Sequence, residues 1–332
     1  MNADQTVVLV WDPATKTEHF VRRASFKAEA HDFGFLVPTP SKPDLAESGD
    51  VAFDTLVKIT APEIKYEKQP SAGCSSCFAM RTKGEALAVS PDKVNVLEEK
   101  RVAGFDASVL EATSSTALVG WLKEHGYAFS PEVEAWAKPY VDQGWKITAL
   151  RVAKDGPDAG ANAPATIAAA SLRLSFKTDR PLFPYREPDT AKDAPKLDAT
   201  TRMLRIFFVS TERYEGTIAA DAPWVANVTW SNVLSAADRD RLVGELQLPA
   251  GTFPASWRLT EYEHYWPYRL APADLYFAPS KNQGTAKRLP EIRYTANDLG
   301  GGDLVVMGLV LVPFVRRRKD PASTADRNEN TQ

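Results

Sequence analysis

The sequence predicts an α+β fold with two β-rich, mainly antiparallel halves, an inserted αα-hairpin and a C-terminal hydrophobic segment. Three observations carry this. Short apolar or alternating runs recur along the chain, bounded by proline, glycine and polar clusters. The regular strand–helix alternation of a parallel sheet is missing. Two capped, helix-period segments lie between strand-like runs, as in an αα-hairpin. The length, 332 residues, suits about two domains.

Val7-Val8-Leu9-Val10-Trp11 reads as the first strand. Residues 17–27 and 33–37 read as two more, separated by a polar turn. Pro38, Pro40 and Pro43 are expected to stop any ladder there, because proline lacks the backbone donor. Asp50 can cap a helix running to about Thr60, with Val51, Phe53, Leu56, Val57 and Ile59 as its apolar positions. A polar loop over 68–84 holds both cysteines, and 89–102 returns to strand.

The hairpin spans 115–143. Ser115 is expected to cap its first helix, whose core face is Leu118, Trp121 and Leu122 and which ends near Gly126. Ser130-Pro131 starts the second, since proline suits the first helical position. That helix carries Val133, Trp136, Ala137 and Tyr140 on one face and ends at Gly144. Trp145 to Val152 reads as a strand and closes an N-terminal domain of residues 1–153.

Residues 154–165 contain no large apolar side chain and read as a linker. A second β-rich domain then covers 166–298. Its expected strands are 167–176, 203–210, 256–266 and a short one at Leu275-Tyr276-Phe277, with a helix from Ala236 capped by Ser235. Residues 304–315 are uninterruptedly apolar, follow Gly300-Gly301-Gly302 and precede Arg316-Arg317-Arg318-Lys319. A helix back to Leu299 would be roughly 25 Å long, short of a hydrocarbon core of roughly 30 Å, but the cations are what a membrane stop requires. The alternative is a buried strand. Residues 299–319 are thus read as a membrane anchor, and the polar residues 320–332 as a disordered tail.

Composition excludes several classes. With 44% hydrophobic and 10% aromatic residues, the chain is not globally disordered. A mean hydropathy of -0.31 excludes a multi-span membrane protein. Forty Lys and Arg against 43 Asp and Glu leave a net charge of -3, which gives no field to gather nucleic acid.

Two places carry chemistry. Cys74 and Cys77 are spaced as a disulfide, a redox dithiol or half a zinc site. No second pair and no spaced histidines complete a zinc set, so no metal and no cofactor is expected. Near Trp266, alternation places Tyr262, His264 and Trp266 on one strand face and Glu261, Glu263 and Tyr265 on the other. A row of Tyr262, Trp266 and Tyr268 can stack on a sugar or peptide, and the glutamates can do acid–base work. The plainer expectation is a buried aromatic face and a solvated acidic one. No GxSxG, HExxH, GxxxxGK[ST] or GxGxxG appears.

A resemblance adds to this. Ala107-Ser108-Val109-Leu110-Glu111-Ala112, Leu118-Val119-Gly120-Trp121-Leu122-Lys123-Glu124-His125-Gly126-Tyr127 and Pro139-Tyr140-Val141-Asp142-Gln143-Gly144-Trp145 together resemble the bacterial domain of unknown function 2330 family. Asp12-Pro13-Ala14-Thr15, residues 33–41 and Phe183-Pro184-Tyr185-Arg186 also fit its pattern. The resemblance implies an exported protein with an N-terminal signal, a Cys-Gly-Gly element and often a C-terminal anchor. The first residues here, Met1-Asn2-Ala3-Asp4-Gln5-Thr6, show neither front element. It supplies no activity and no catalytic residues. The combined expectation is a cell-envelope protein, extracytoplasmic and anchored through 304–315. It would act as a non-enzymatic interaction module for an envelope protein or glycan. The alternatives are a thiol–disulfide oxidoreductase and a carbohydrate binder.

Overall fold

The computed structural model describes residues 5–23, 34–68, 94–127, 132–152, 171–189, 202–219, 221–250, 254–266 and 271–295. The cysteine loop, the 154–165 stretch and the segments 299–319 and 320–332 lie outside them.

The apolar run at the front becomes β1 (Gln5–Asp12), the central strand of its sheet, with a partner on each edge and cover on each face. It pairs in parallel with β11 (Arg202–Ser210) and antiparallel with β2 (Thr17–Arg22). Val7, Leu9 and Trp11 point into one core, and Val8 and Val10 into another. Cover on both faces is why the run is continuous rather than alternating. The sheet has seven strands, in the order β14 (Asn227–Val233), β15 (Arg258–Trp266), β11, β1, β2, β9 (Ser171–Lys177) and β4 (Asp44–Ser48).

The mixed α+β architecture and its mainly antiparallel pairing follow the expectation. The sheet nevertheless draws strands from both sides of 154–165, because β9 pairs with β2 and β4, and β11 with β1. The two halves share their backbone hydrogen bonds.

On one face, α1 (Val51–Ile59) and α4 (Ala236–Glu245) seal a core with Phe53, Leu56, Leu242 and Trp257. Asp50 precedes α1 but makes no side-chain cap. Its carboxylate instead accepts from the Ser171 hydroxyl. Of the expected apolar positions of α1, Phe53 and Leu56 are buried, while Val51 and Val57 are exposed. The C-terminus of α4 is docked by three donors: Gly49 N–H to the Glu245 carbonyl at 3.0 Å, Ser48 Oγ to Leu246 at 3.0 Å, and the Arg173 guanidinium to Gln247. A cation on the last carbonyls also suits the negative end of the helix dipole.

The other face joins a larger core built by two further sheets and the hairpin. One sheet is β3 (Gly34–Thr39), β8 (Lys146–Val152), β7 (Phe105–Ala112) and β6 (Val94–Val102), fully antiparallel. Pro38 does not stop β3. It pairs opposite Ile147, and β3 is the edge strand, where a missing donor costs no ladder bond. The other sheet is β10 (Leu182–Phe183), β16 (Leu275–Pro279), β12 (Tyr214–Ile218) and β13 (Ala222–Pro223). β5 (Ile64–Lys68) and β17 (Glu291–Thr295) pair as a separate parallel ribbon.

The hairpin is α2 (Ser115–Glu124) and α3 (Glu132–Asp142). The cap of α2 is Ser114, one residue before the expected Ser115, with its Oγ accepting from Ala117 N–H at 3.0 Å.

Candidate ligand-binding cleft

Both hairpin helices end by the same chemistry. After α2, Tyr127 N–H donates to the Leu122 carbonyl at 2.8 Å and Gly126 N–H to Lys123 at 3.0 Å. After α3, Trp145 N–H donates to Tyr140 at 2.9 Å and Gly144 N–H to Val141 at 2.9 Å. Gly126 and Gly144 have φ of 74° and 72°. These are two Schellman stops, which need a left-handed residue that glycine supplies without steric cost. The WL…GY and Y…GW signatures are thus helix terminators. Each folds an aromatic residue back onto its own helix, and the Tyr140 and Trp145 ring centroids lie 5.3 Å apart.

The second stop opens onto a cleft of about 430 Å³ between the end of α3 and the sheet of β12 and β16. On the α3 side, the Tyr140 hydroxyl lies 2.9 and 2.8 Å from the two carboxylate oxygens of Asp274. Asp274 also accepts the backbone N–H groups of Tyr185 and Arg186, at 2.9 and 3.0 Å. The Arg186 guanidinium stacks over the Tyr140 ring at 4.7 Å and donates to the Trp136 carbonyl. In return, Trp136 Nε1 donates to the Arg186 carbonyl at 2.7 Å. Burial, and then the charge of Asp274, push the Tyr140 phenol far above its ordinary range. It is a fixed neutral donor.

On the sheet side, Arg180 stacks over the Tyr276 ring at 5.1 Å. Its guanidinium donates to Asp221 at 2.9 Å and to Thr217 Oγ1 at 2.7 Å. Burial, followed by Asp274, raises the Tyr276 phenol. The Nε atoms of Arg180 and Arg186 are both buried without an acceptor among the described residues.

Two departures from local preference converge here. Pro139 lies inside α3 and lines the cleft, although an interior proline costs a helix about 3 kcal/mol. Ala219 and Asp221, in the turn between β12 and β13, have φ of 36° and 60°. That turn carries the Asp221 carboxylate to Arg180. Left-handed non-glycine residues also occur at Lys16, Ala103 and Gln247, so the conformation alone does not single out this cleft.

A second cleft, of about 390 Å³, lies at the other hairpin end. His125 stacks on Trp121 at 3.9 Å, and Arg151 donates to the His125 carbonyl at 2.8 Å while lying over Tyr127. Its groups, like those of the first cleft, are paired among themselves.

The aromatic row expected near Trp266 is not a stacking surface at Tyr262. That ring is 3% exposed, packs on Trp224 at 5.7 Å, and its hydroxyl donates to the Tyr214 carbonyl. The side chain of Trp266, and Tyr268, lie outside the described residues. The acidic face is not solvated either. Glu261 and Glu263 are buried beneath Arg288, at 2.8 and 2.6 Å, and Arg205 reaches Glu263 at 2.6 Å. Burial works against the Glu263 charge, but hydrogen bonds from Arg288 and Arg205 hold its pKa below the ordinary value. These carboxylates are structural ion pairs.

Ser175 Oγ meets His19 Nδ1 at 2.8 Å, near Asp12. This is no nucleophile triad, since the Asp12 oxygens are held by Ala14 N–H at 2.9 Å and Thr15 Oγ1 at 2.6 Å. Burial and then Arg173 lower His19 to about 4.

Cys74, Cys77 and Arg316, Arg317, Arg318 and Lys319 lie outside the described residues. Among the described residues, no cluster of His, Cys, Asp and Glu is suited to a metal, and no helix is long and apolar enough to cross a membrane.

Nothing in the sequence announced the cleft. Its polar walls come from Tyr140, Arg180, Arg186, Asp221 and Asp274, in segments far apart in the chain. Only Tyr140 and Arg186 fell within patterned stretches. No curated protein and no solved structure matches the chain. A family model described as "Uncharacterized protein conserved in bacteria (DUF2330)" matches residues 1–263, and the chain belongs to that family.

Proposed function

We propose that this protein is a non-enzymatic binding module of the cell envelope, held at the membrane by 304–315 and its basic stop Arg316–Lys319, and that its ligand enters the Tyr140–Tyr276 cleft. One observation carries the reading. The cleft gathers two arginines and two aspartates from distant segments, and each is held in place by hydrogen bonds. Asp274 is filled with donors and Tyr140 is a fixed neutral hydroxyl. A general acid or base needs a pKa near the working pH and a free lone pair or proton. This arrangement has pre-organisation without that reactivity, which suits binding. The envelope assignment is supported by the apolar segment and its cations.

The full chain, expressed in a bacterial host with an export signal, is expected in the membrane fraction and open to protease added to spheroplasts. Deleting 299–319 should release it. A cytosolic, protease-protected protein overturns the envelope assignment. In detergent, the full chain is expected to co-sediment with washed envelope fragments, and Arg180→Ala with Asp221→Asn is expected to abolish this. Equal retention of wild type and variant overturns the cleft as the site.

A further inference from the structure

We infer that the cleft takes an uncharged saccharide, bound through vicinal hydroxyls. This rests on the cleft being the ligand site. Charge comes first. The ionised side chains lining it are Arg180, Arg186, Asp221 and Asp274, two of each sign. Such a lining has no net field to attract an anion or a cation, and burying either would cost more than it returns.

Hydrogen-bonding capacity comes second. Arg180 and Asp221 sit side by side at 2.9 Å with Thr217 Oγ1 adjacent, so donors and an acceptor alternate along one wall. A hydroxyl is both donor and acceptor, and two on neighbouring carbons can bridge a guanidinium and a carboxylate together. A proline-rich peptide, which lacks most of its backbone N–H donors, does not match that close alternation.

Shape is third. Pro139 and Tyr276 are each half-buried, and because Arg180 covers one face of the Tyr276 ring, the apolar area beside the polar pairs comes from Pro139 and the edge of Tyr276. The C–H face of a sugar ring needs such a surface, and its hydroxyl rim needs the pairs. The volume of about 430 Å³ falls low in the range of small-molecule sites, which suits a mono- or disaccharide unit of a longer chain.

The test uses the full chain in detergent micelles and calorimetric titration with four probes: cellotriose, tri-N-acetylchitotriose, trigalacturonate and a proline-rich decapeptide. At least one neutral trisaccharide is expected to bind in the high-micromolar to millimolar range, with at least a tenfold preference over trigalacturonate. Asp221→Asn, on the exposed rim, should weaken it about tenfold with unchanged thermal unfolding, and Arg180→Ala should weaken it at least as much, with a lowered melting temperature because it also loses the Thr217 bond and the Tyr276 stack. Tyr276→Phe should weaken it less than Tyr276→Ala. A preference for trigalacturonate or the peptide, lost in the same variants, overturns the saccharide and leaves the cleft standing. Binding of no probe overturns the saccharide. Saccharide binding that the variants leave intact overturns the cleft itself.

Discussion

The Tyr140 hydroxyl spans both carboxylate oxygens of Asp274, at 2.9 and 2.8 Å, and so ties the end of α3 to the segment before β16. Tyr140→Phe removes one donor and leaves Asp274 its two backbone donors. The expected cost is about 1–2 kcal/mol in urea denaturation. Asp274→Ala strands the phenol and two N–H groups together, and should cost at least twice as much. Equal costs for the two variants would mean that the carboxylate is not the hub of this junction.

The Schellman stops make a graded prediction. Gly144 has no heavy atom within 4 Å of an added Cβ, so Gly144→Ala pays only the left-handed conformation, about 1 kcal/mol. Gly49→Ala drives a Cβ into the Glu245 carbonyl that docks α4, and should be far more damaging. Thermal melts of the pair should separate clearly, with Gly144→Ala the milder.

Two buried groups on β2 give stability opposite pH slopes. Burial raises Glu18 well above its ordinary value, against the Leu182 N–H that lowers it. The folded state therefore holds a proton that the unfolded chain has released. Stability from this group falls as pH rises from the unfolded carboxylate range toward the folded value. Glu18→Gln should remove that loss, and be at least as stable as wild type at pH 8. His19, lowered to about 4, is neutral in the fold while the unfolded chain takes a proton near 6.5. Its contribution is present above about pH 6.5 and lost between there and 4. His19→Gln should flatten that acid limb. Urea midpoints at pH 4, 5, 6.5 and 8 check both.

Arg288 bridges Glu261 and Glu263 at 2.8 and 2.6 Å over the outer part of the seven-stranded sheet. Arg288→Met leaves two buried carboxylates with Arg205 as their one cation among the described residues, and with Thr229 Oγ1 on Glu261. The expected loss is about 3 kcal/mol, little changed by salt, because a buried pair is poorly screened. A loss that vanishes in molar salt would identify a surface pair instead.

Much of the architecture was legible because it is written in periodicity and caps. Ser235, Gly126 and Gly144 all mark helix ends in the folded chain. The pairing was less legible, because partners are chosen by cover and not by pattern. Alternation correctly put Glu261 and Glu263 opposite Tyr262, yet could not reveal that Arg288 would close over them. Pro38 was misread for a related reason: its effect depends on which edge it faces, and that is set by β8. The cleft escaped notice because its arginines and acids meet only through tertiary structure.

The parallel pairing of β1 with β11 has a consequence for synthesis. Gln5 pairs with Leu204, so the central, strongly apolar strand of the sheet leaves the ribosome long before its neighbour exists. At about 5–20 residues per second, the wait is on the order of ten seconds or more. During that interval one edge of Val7–Trp11 is an open template for the wrong strand. The nascent chain should therefore lean on holding factors, and a fragment ending at residue 165 should aggregate.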